Sequence, residues 1–152
     1  MKTLSVLPIT PVVIGWRERI DLPDWGIRRT RAKIDTGART SSIDAEVLDL
    51  KTLDNGTTMA LLGLRLCRSE PLKIMRVNMP VLKTARVRNT NCGAEDRLVV
   101  ETTMQLGSVT RLIQLTLADR GQMLVPIILG RSALMNDFVV DASRKYILTG
   151  RK

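Results

Sequence analysis

The chain has 152 residues, 44% of them hydrophobic, with 24 Lys and Arg against 15 Asp and Glu for a formal charge of +9, and it contains no histidine. The missing imidazole excludes Ser-His-Asp and Cys-His hydrolases, His-ligated zinc and a histidine general base. Two cysteines, Cys67 and Cys92, are too few for a four-thiolate zinc site and too far apart for a Cys-x-x-Cys redox motif. The length suits one domain with an ordinary core, and 3% aromatic residues argue against base-stacking recognition of single-stranded nucleic acid.

In chain order, residues 1–14 are apolar, but Pro8, Thr10 and Pro11 interrupt the run and no small-x-small cleavage site precedes Trp16. Residues 1–12 are therefore expected to form a disordered arm of a soluble, cytoplasmic protein, with no membrane-spanning segment. Residues 12–19 read as a strand, and Pro23-Asp24-Trp25-Gly26 as a turn. Residues 27–34 alternate and run into Asp35-Thr36-Gly37-Ala38; within them Arg28, Arg29, Arg31 and Lys33 form the densest basic patch, which strict alternation divides between two faces. Asp54-Asn55-Gly56 is the sharpest hairpin signal, joining strands at 47–53 and 58–66. Strands at 72–77, 81–88, 97–104 and 109–117 are separated by Pro80, Asn89-Thr90-Asn91-Cys92-Gly93 and Gly107-Ser108, and read as hairpins. An apolar run at 123–129 has the length of a buried strand, 131–137 is the single helical piece, and 138–148 holds two short strands around a turn at 141–145. The chain reads as one mostly-β domain, residues 1–152, with one short helix near its C-terminus.

The chemistry is concentrated at Asp35-Thr36-Gly37-Ala38. A carboxylate at a strand end, followed by a small hydroxyl and a glycine, exposes an acid on a tight loop; Gly37 leaves its N–H free for that carboxylate, and Thr36 both donates and accepts. The plain alternative is a turn in which Asp35 caps its own backbone. An Asp-Thr-Gly triplet arises by chance in roughly 3% of chains this long, so it gains weight from a second element, Ile127-Ile128-Leu129-Gly130-Arg131, directly before the helical piece.

In this layout the sequence resembles retropepsin-like aspartic proteases. More narrowly, Ile14-Gly15-Trp16-Arg17-Glu18, Ala32-Lys33-Ile34-Asp35-Thr36-Gly37-Ala38-Arg39-Thr40-Ser41, Leu115-Thr116-Leu117-Ala118-Asp119-Arg120 and Leu129-Gly130-Arg131-Ser132-Ala133-Leu134 are similar to the bacterial family labelled ATP-dependent zinc protease. The resemblance implies an acid-protease domain, a closed β-barrel or sandwich, with Asp35 catalytic and Thr36, Gly37 and Ala38 bracing its loop. It also implies that Ile128, Leu129, Gly130 and Arg131 support the site from behind, and that the hairpin tip with Asn89, Asn91 and Gly93 serves as a flap. Family members commonly carry a histidine just after the Asp35 block, where this chain has Ser42-Ile43-Asp44-Ala45. No metal or cofactor is expected, and with no glycine-rich phosphate loop any ATP dependence would come from a partner, such as the ATP-grasp amino-acid ligases often found beside the family.

Paired aspartates hydrolyse peptides without imidazole or metal. A single Asp-Thr-Gly per chain then calls for a homodimer, with the second aspartate from the second copy. Within one chain, Asp44 follows Asp35 too closely, Asp119 lies beside Arg120 in a turn, and Asp141 opens a turn. Ser41 and Ser42 with Lys33 lack the spacing of a serine-lysine pair, Cys92 reads as an inert surface thiol, and the methionines as core packing. The expected partner is a peptide or protein substrate, acidic in view of the +9 charge. The alternative is a catalytically silent binding or regulatory module of the same fold for an acidic or glutamate-modified partner, and after it a basic nucleic-acid-binding β domain.

Overall fold

Alternating apolar and polar residues fix most of the strands. A computed structural model describes residues 10–67, 69–70, 73–89, 93–119 and 124–150. The order is β1 (Val12–Gly15), β2 (Arg17–Leu22), a 3₁₀ turn (Pro23–Trp25), β3 (Ile27–Ile34), β4 (Ser41–Thr52), β5 (Thr58–Leu64) and β6 (Met75–Pro80). It continues with β7 (Lys83–Asn89), β8 (Gly93–Leu106), β9 (Val109–Ala118), β10 (Ile127–Leu129), helix α1 (Arg131–Leu134) and β11 (Phe138–Asp141). The fold is mostly β, and no helix among the described residues is long and apolar enough to cross a membrane.

The pairings run in a ring. β10 lies parallel to β3, with Leu129 opposite Ile34, and antiparallel to β4, with Ile128 opposite Ser42. β3 pairs with β2, β2 with β8, β8 with β9 and β9 with β4, which returns to β10. Its side chains supply the core: Ile20, Ile43, Met104, Leu115, Ile127 and Leu129 are fully buried, each contributing about 1.5–3 kcal/mol relative to exposure. β5 and β6 extend β4 outward, β7 folds back on β8, and β1 pairs parallel with β11 in a separate ribbon.

Several expectations are corrected. The strand at 12–19 breaks at Trp16, whose N–H donates to Arg144 O (2.9 Å) while its carbonyl accepts Ile34 N–H (2.8 Å). The helix stops at Leu134, because Asn136 turns to φ 75° and the Arg111 guanidinium takes the freed carbonyls of Met135 and Ser132. Among the described residues no second strand follows β11: residues 147–149 form a turn that donates its amides to Glu18. β8 extends beyond 97–104 to both sides, and β6 runs through Pro80 rather than ending before it. The expected strand at 123–129 is ordered as a strand only over Ile127–Leu129, and Met123 lies outside the described residues, as do Leu72, Cys92, Arg120 and residues 1–9 of the expected N-terminal arm. Arg28, Arg29, Arg31 and Lys33 are all exposed, not divided between faces, because a bulge in β3 shifts its alternation by one residue.

Candidate active site

β3 delivers Asp35 to the point where its pairing with β10 ends: Asp35 N–H donates to Leu129 O at 2.9 Å. The chain then turns tightly, with Ala38 N–H on Asp35 O (3.2 Å) and Gly37 N–H on Asp35 Oδ1 (3.0 Å). Asp35 is half-buried, and among the described residues its Oδ2 accepts no hydrogen bond. Behind this loop runs the segment from Leu129 to Ser132. Gly130 N–H donates to the buried Ser41 Oγ (3.0 Å), Arg131 N–H to Ala38 O (2.8 Å), Ser132 N–H to Arg39 O (3.0 Å), and Arg131 Nη1 to Thr36 O (2.9 Å). The Asp35–Ala38 loop and Leu129–Gly130–Arg131 are thus brought together, with Ile128 one residue further along β10.

Only glycine fits at position 130, since a Cβ there would lie 2.4 Å from Thr40 O and 2.9 Å from Ala38 O. Gly130→Ala is therefore expected to destabilise the protein by about 1–3 kcal/mol in urea unfolding and to displace the Asp35 loop, seen as altered amide shifts at residues 35–40.

The other acidic positions have separate employment. Asp44 is fully buried, and its carboxylate accepts Arg65 Nη2 at 3.0 Å; the same guanidinium reaches Glu46 at 3.4 Å and also contacts Asp119. The Asp44 hydrogen bond is the main reason that the guanidinium holds its proton more firmly than usual. Asp44 is the position where the family resemblance leads one to expect a histidine, yet it faces a fixed cation, so a zinc ion does not fit there. Among the described residues no group of three or more His, Cys, Asp or Glu side chains could hold a metal. Asp44→Ala, which removes the buried partner of Arg65 and leaves it Glu46 and Asp119 nearer the surface, is expected to cost about 1.5–3 kcal/mol of stability by urea unfolding. Asp141 accepts Ser143 Oγ (2.6 Å) and Ser143 N–H (2.9 Å), which hold its carboxyl below the usual carboxylate range. Ser41 is committed to Gly130, and Lys33 is exposed.

The β7–β8 hairpin closes with Asn89 opposite Gly93, which takes φ 82°. Asn91, between them in sequence, lies outside the described residues.

Glu18 was not singled out by its sequence context, yet it is fully buried. Its Oε2 accepts N–H groups of Gly15 (2.7 Å), Ile147 (3.2 Å) and Leu148 (3.3 Å), and its Oε1 accepts Thr149 N–H (3.2 Å) and Thr149 Oγ1 (2.7 Å). The segment it anchors runs beside Trp16, whose carbonyl holds the last residue of β3 before Asp35.

Residues 13–151 match the family model described as "RimB-like: Retropepsin-like aspartic endopeptidase RimB". Two curated relatives, each named "Probable alpha-L-glutamate ligase", are 30% identical. The one from Desulfotalea psychrophila aligns over 134 residues, 88% of this chain and 28% of its own length. The one from Shewanella pealeana aligns over 137 residues, 90% of this chain and 30% of its own. The chain spans less than a third of the length of these relatives. A crystal structure of a protein of unknown function from Legionella pneumophila superposes with a TM-score of 0.71 at 22% identity, covering 92% of this chain and all of that one. That likeness is one of fold.

Proposed function

Because the chain belongs to the RimB-like family of retropepsin-like aspartic endopeptidases, we propose that it is an aspartic endopeptidase whose site forms between two copies, each contributing Asp35. The observation that carries this reading is the Asp35 loop: a half-buried carboxylate with one oxygen held by Gly37 N–H and the other unengaged among the described residues. On this reading the ring of pairings is the closed barrel of a single retropepsin-like domain, and the β7–β8 hairpin is the flap over the substrate.

Two such carboxylates across a two-fold axis share one proton, because like charges at about 3 Å cannot both ionise. The ionised one takes a proton from a water that attacks the peptide carbonyl. The protonated one donates a hydrogen bond to the carbonyl oxygen as it gains charge, and a proton then reaches the leaving amine. The Gly37 N–H on Oδ1 orients each carboxylate, and Arg131 Nη1 holds the Thr36 carbonyl of the same loop.

The substrate in this proposal is an acidic peptide, favoured by the +9 charge and by the exposed Lys33, two residues before Asp35. The relatives' name supports a functional link to a glutamate ligase whose product would carry such a peptide. The test is incubation of the purified chain with glutamate-rich, neutral and lysine-rich peptides of equal length. Cleavage of the acidic peptide, blocked by an analogue carrying a tetrahedral hydroxyl at the scissile position, is expected. No cleavage of any of them would contradict the proposal.

A further inference from the structure

β2 and β3 turn one face to the core and the other outward. Glu18, Ile20, Ala32 and Ile34 are buried on the inner face, while on the outer face Arg17 and Arg19 are half-buried and Arg31 and Lys33 exposed. The register sets Arg17 directly opposite Lys33 and Arg19 directly opposite Arg31. The outer face thus carries two adjacent rungs of like charge, each about 5 Å across and separated by roughly 7 Å along the strands. Like charges directly opposite each other across a sheet are destabilising, and here two such pairs stand side by side. Among the described residues Arg17, Arg31 and Lys33 form no ion pair. β2 and β3 offer one carboxylate on this face, Asp21, and its Oδ1 accepts Arg29 N–H at 2.7 Å.

Several of these cations are held in place without being neutralised. The Arg17 guanidinium lies over the Trp16 ring, 4.9 Å from its centroid, and Lys145 Nζ lies 5.7 Å from the same ring; Arg19 lies over Tyr146 at 5.5 Å. Arg19 Nη1 donates to Arg29 O (3.3 Å) and Arg29 Nη2 to Thr149 O (3.1 Å). Part of the positive charge is therefore ordered before any anion arrives, which lowers the cost of binding one. The ladder also leads to the Asp35 loop. Directly after the Arg17–Lys33 rung, Trp16 O accepts Ile34 N–H at 2.8 Å, and Asp35 is the next residue.

We propose that the outer face of β2 and β3 is the docking surface for an acidic, extended stretch of a peptide substrate. Carboxylates of the peptide lie against the exposed Arg31 and Lys33, and the half-buried Arg17 and Arg19 add their charge across each rung. An extended peptide repeats its same-side side chains at the interval that separates the two rungs, so acidic residues at alternate positions meet successive rungs. Continuity with the Asp35 loop favours a peptide over a nucleic acid as the occupant. The proposal rests on the peptidase reading for the peptide's destination, not for its binding.

Fluorescence anisotropy at low salt tests this on the full-length Asp35→Asn chain, which leaves the peptide intact. The probes are a labelled peptide of alternating Glu and Ala, its Gln counterpart and a single-stranded oligouridylate of matching charge. Saturable binding of the Glu peptide is expected, at least about tenfold tighter than the Gln peptide and about threefold tighter than the oligouridylate. Adding Arg31→Gln or Lys33→Gln is expected to weaken it about threefold each, and both together about tenfold. Tm is kept or raised, because like-charge repulsion is relieved. Lys51→Gln, which removes the same charge from an exposed position near the other end of β4, is expected to change the affinity less than about 1.5-fold. Binding with this pattern but no cleavage by the wild-type chain leaves the docking surface standing and contradicts the peptidase reading alone. Absence of saturation, tighter binding of the oligouridylate, or losses no greater than that of Lys51→Gln would overturn the docking surface even if the wild type cleaves the peptide.

Discussion

Asp35→Asn is expected to lower peptide cleavage by at least about 10³-fold, because the pair loses both the base that activates water and the shared proton. The fold is expected to survive. The substituted amide keeps an oxygen where Gly37 N–H now donates to Oδ1, and the half-buried position brings no large change in packing. A surface-like cost within about 0.5 kcal/mol of zero is therefore expected, read as a nearly unchanged Tm. Two facing amides can replace the shared-proton hydrogen bond at the proposed two-fold axis with an N–H to oxygen bond, so self-association by sedimentation should stay close to that of the wild type. Cleavage at the wild-type rate in the Asp35→Asn variant would remove Asp35 from the chemistry.

Glu18→Ala carries the largest expected effect on stability. It deprives the N–H groups of Gly15, Ile147, Leu148 and Thr149 and the Thr149 hydroxyl of one common acceptor in a fully buried place. Stranding several buried donors is expected to cost about 3–5 kcal/mol, a fall in Tm of roughly 10 °C for a chain of this size. Glu18→Gln should cost less, since its oxygen still accepts while its amide group meets donors. The damage should be directional. Gly15 packs so closely against this segment that a Cβ would lie 2.6 Å from Arg144 O, and the carboxylate is the main polar tie holding residues 147–149 in place. Hydrogen exchange at Ile147, Leu148 and Thr149 should therefore accelerate before that of β8 and β9. A loss under about 1 kcal/mol with unchanged exchange would mean that packing alone holds the C-terminal segment.

What could be read in advance was local. The Asn55-Gly56 turn is a matter of neighbouring residues, and Gly56 takes the expected positive φ of 87°. The Asp35 loop is likewise written in consecutive residues, with its glycine amide beside its carboxylate. The ring was not legible, because the parallel pairings of β10 with β3, β4 with β9 and β1 with β11 join distant segments. Periodicity tells which face of a strand is buried but not which strand lies beside it. The bulge at Arg28 and Arg29 escaped for a related reason: it depends on Asp21 across the sheet, and it turned a patch expected on two faces into an exposed one. Glu18 sits between Arg17 and Arg19, and nothing in that local sequence marks it as buried. Gly15 N–H is near it in sequence, but its other donors lie some 130 residues further along the chain. Asp44 is similar, since nothing near it in sequence announces Arg65.

In the proposed peptidase, one active site needs Asp35 from two copies of the chain. Wild-type protein mixed with an equal amount of the Asp35→Asn variant, allowed to exchange subunits at fixed total concentration, tests it most directly through the rate of acidic-peptide cleavage. Random pairing across an isologous interface leaves about one quarter of the assemblies with both aspartates, so activity near one quarter of that of the all-wild-type sample is predicted. Activity at one half, the simple dilution of independent sites, would contradict the account.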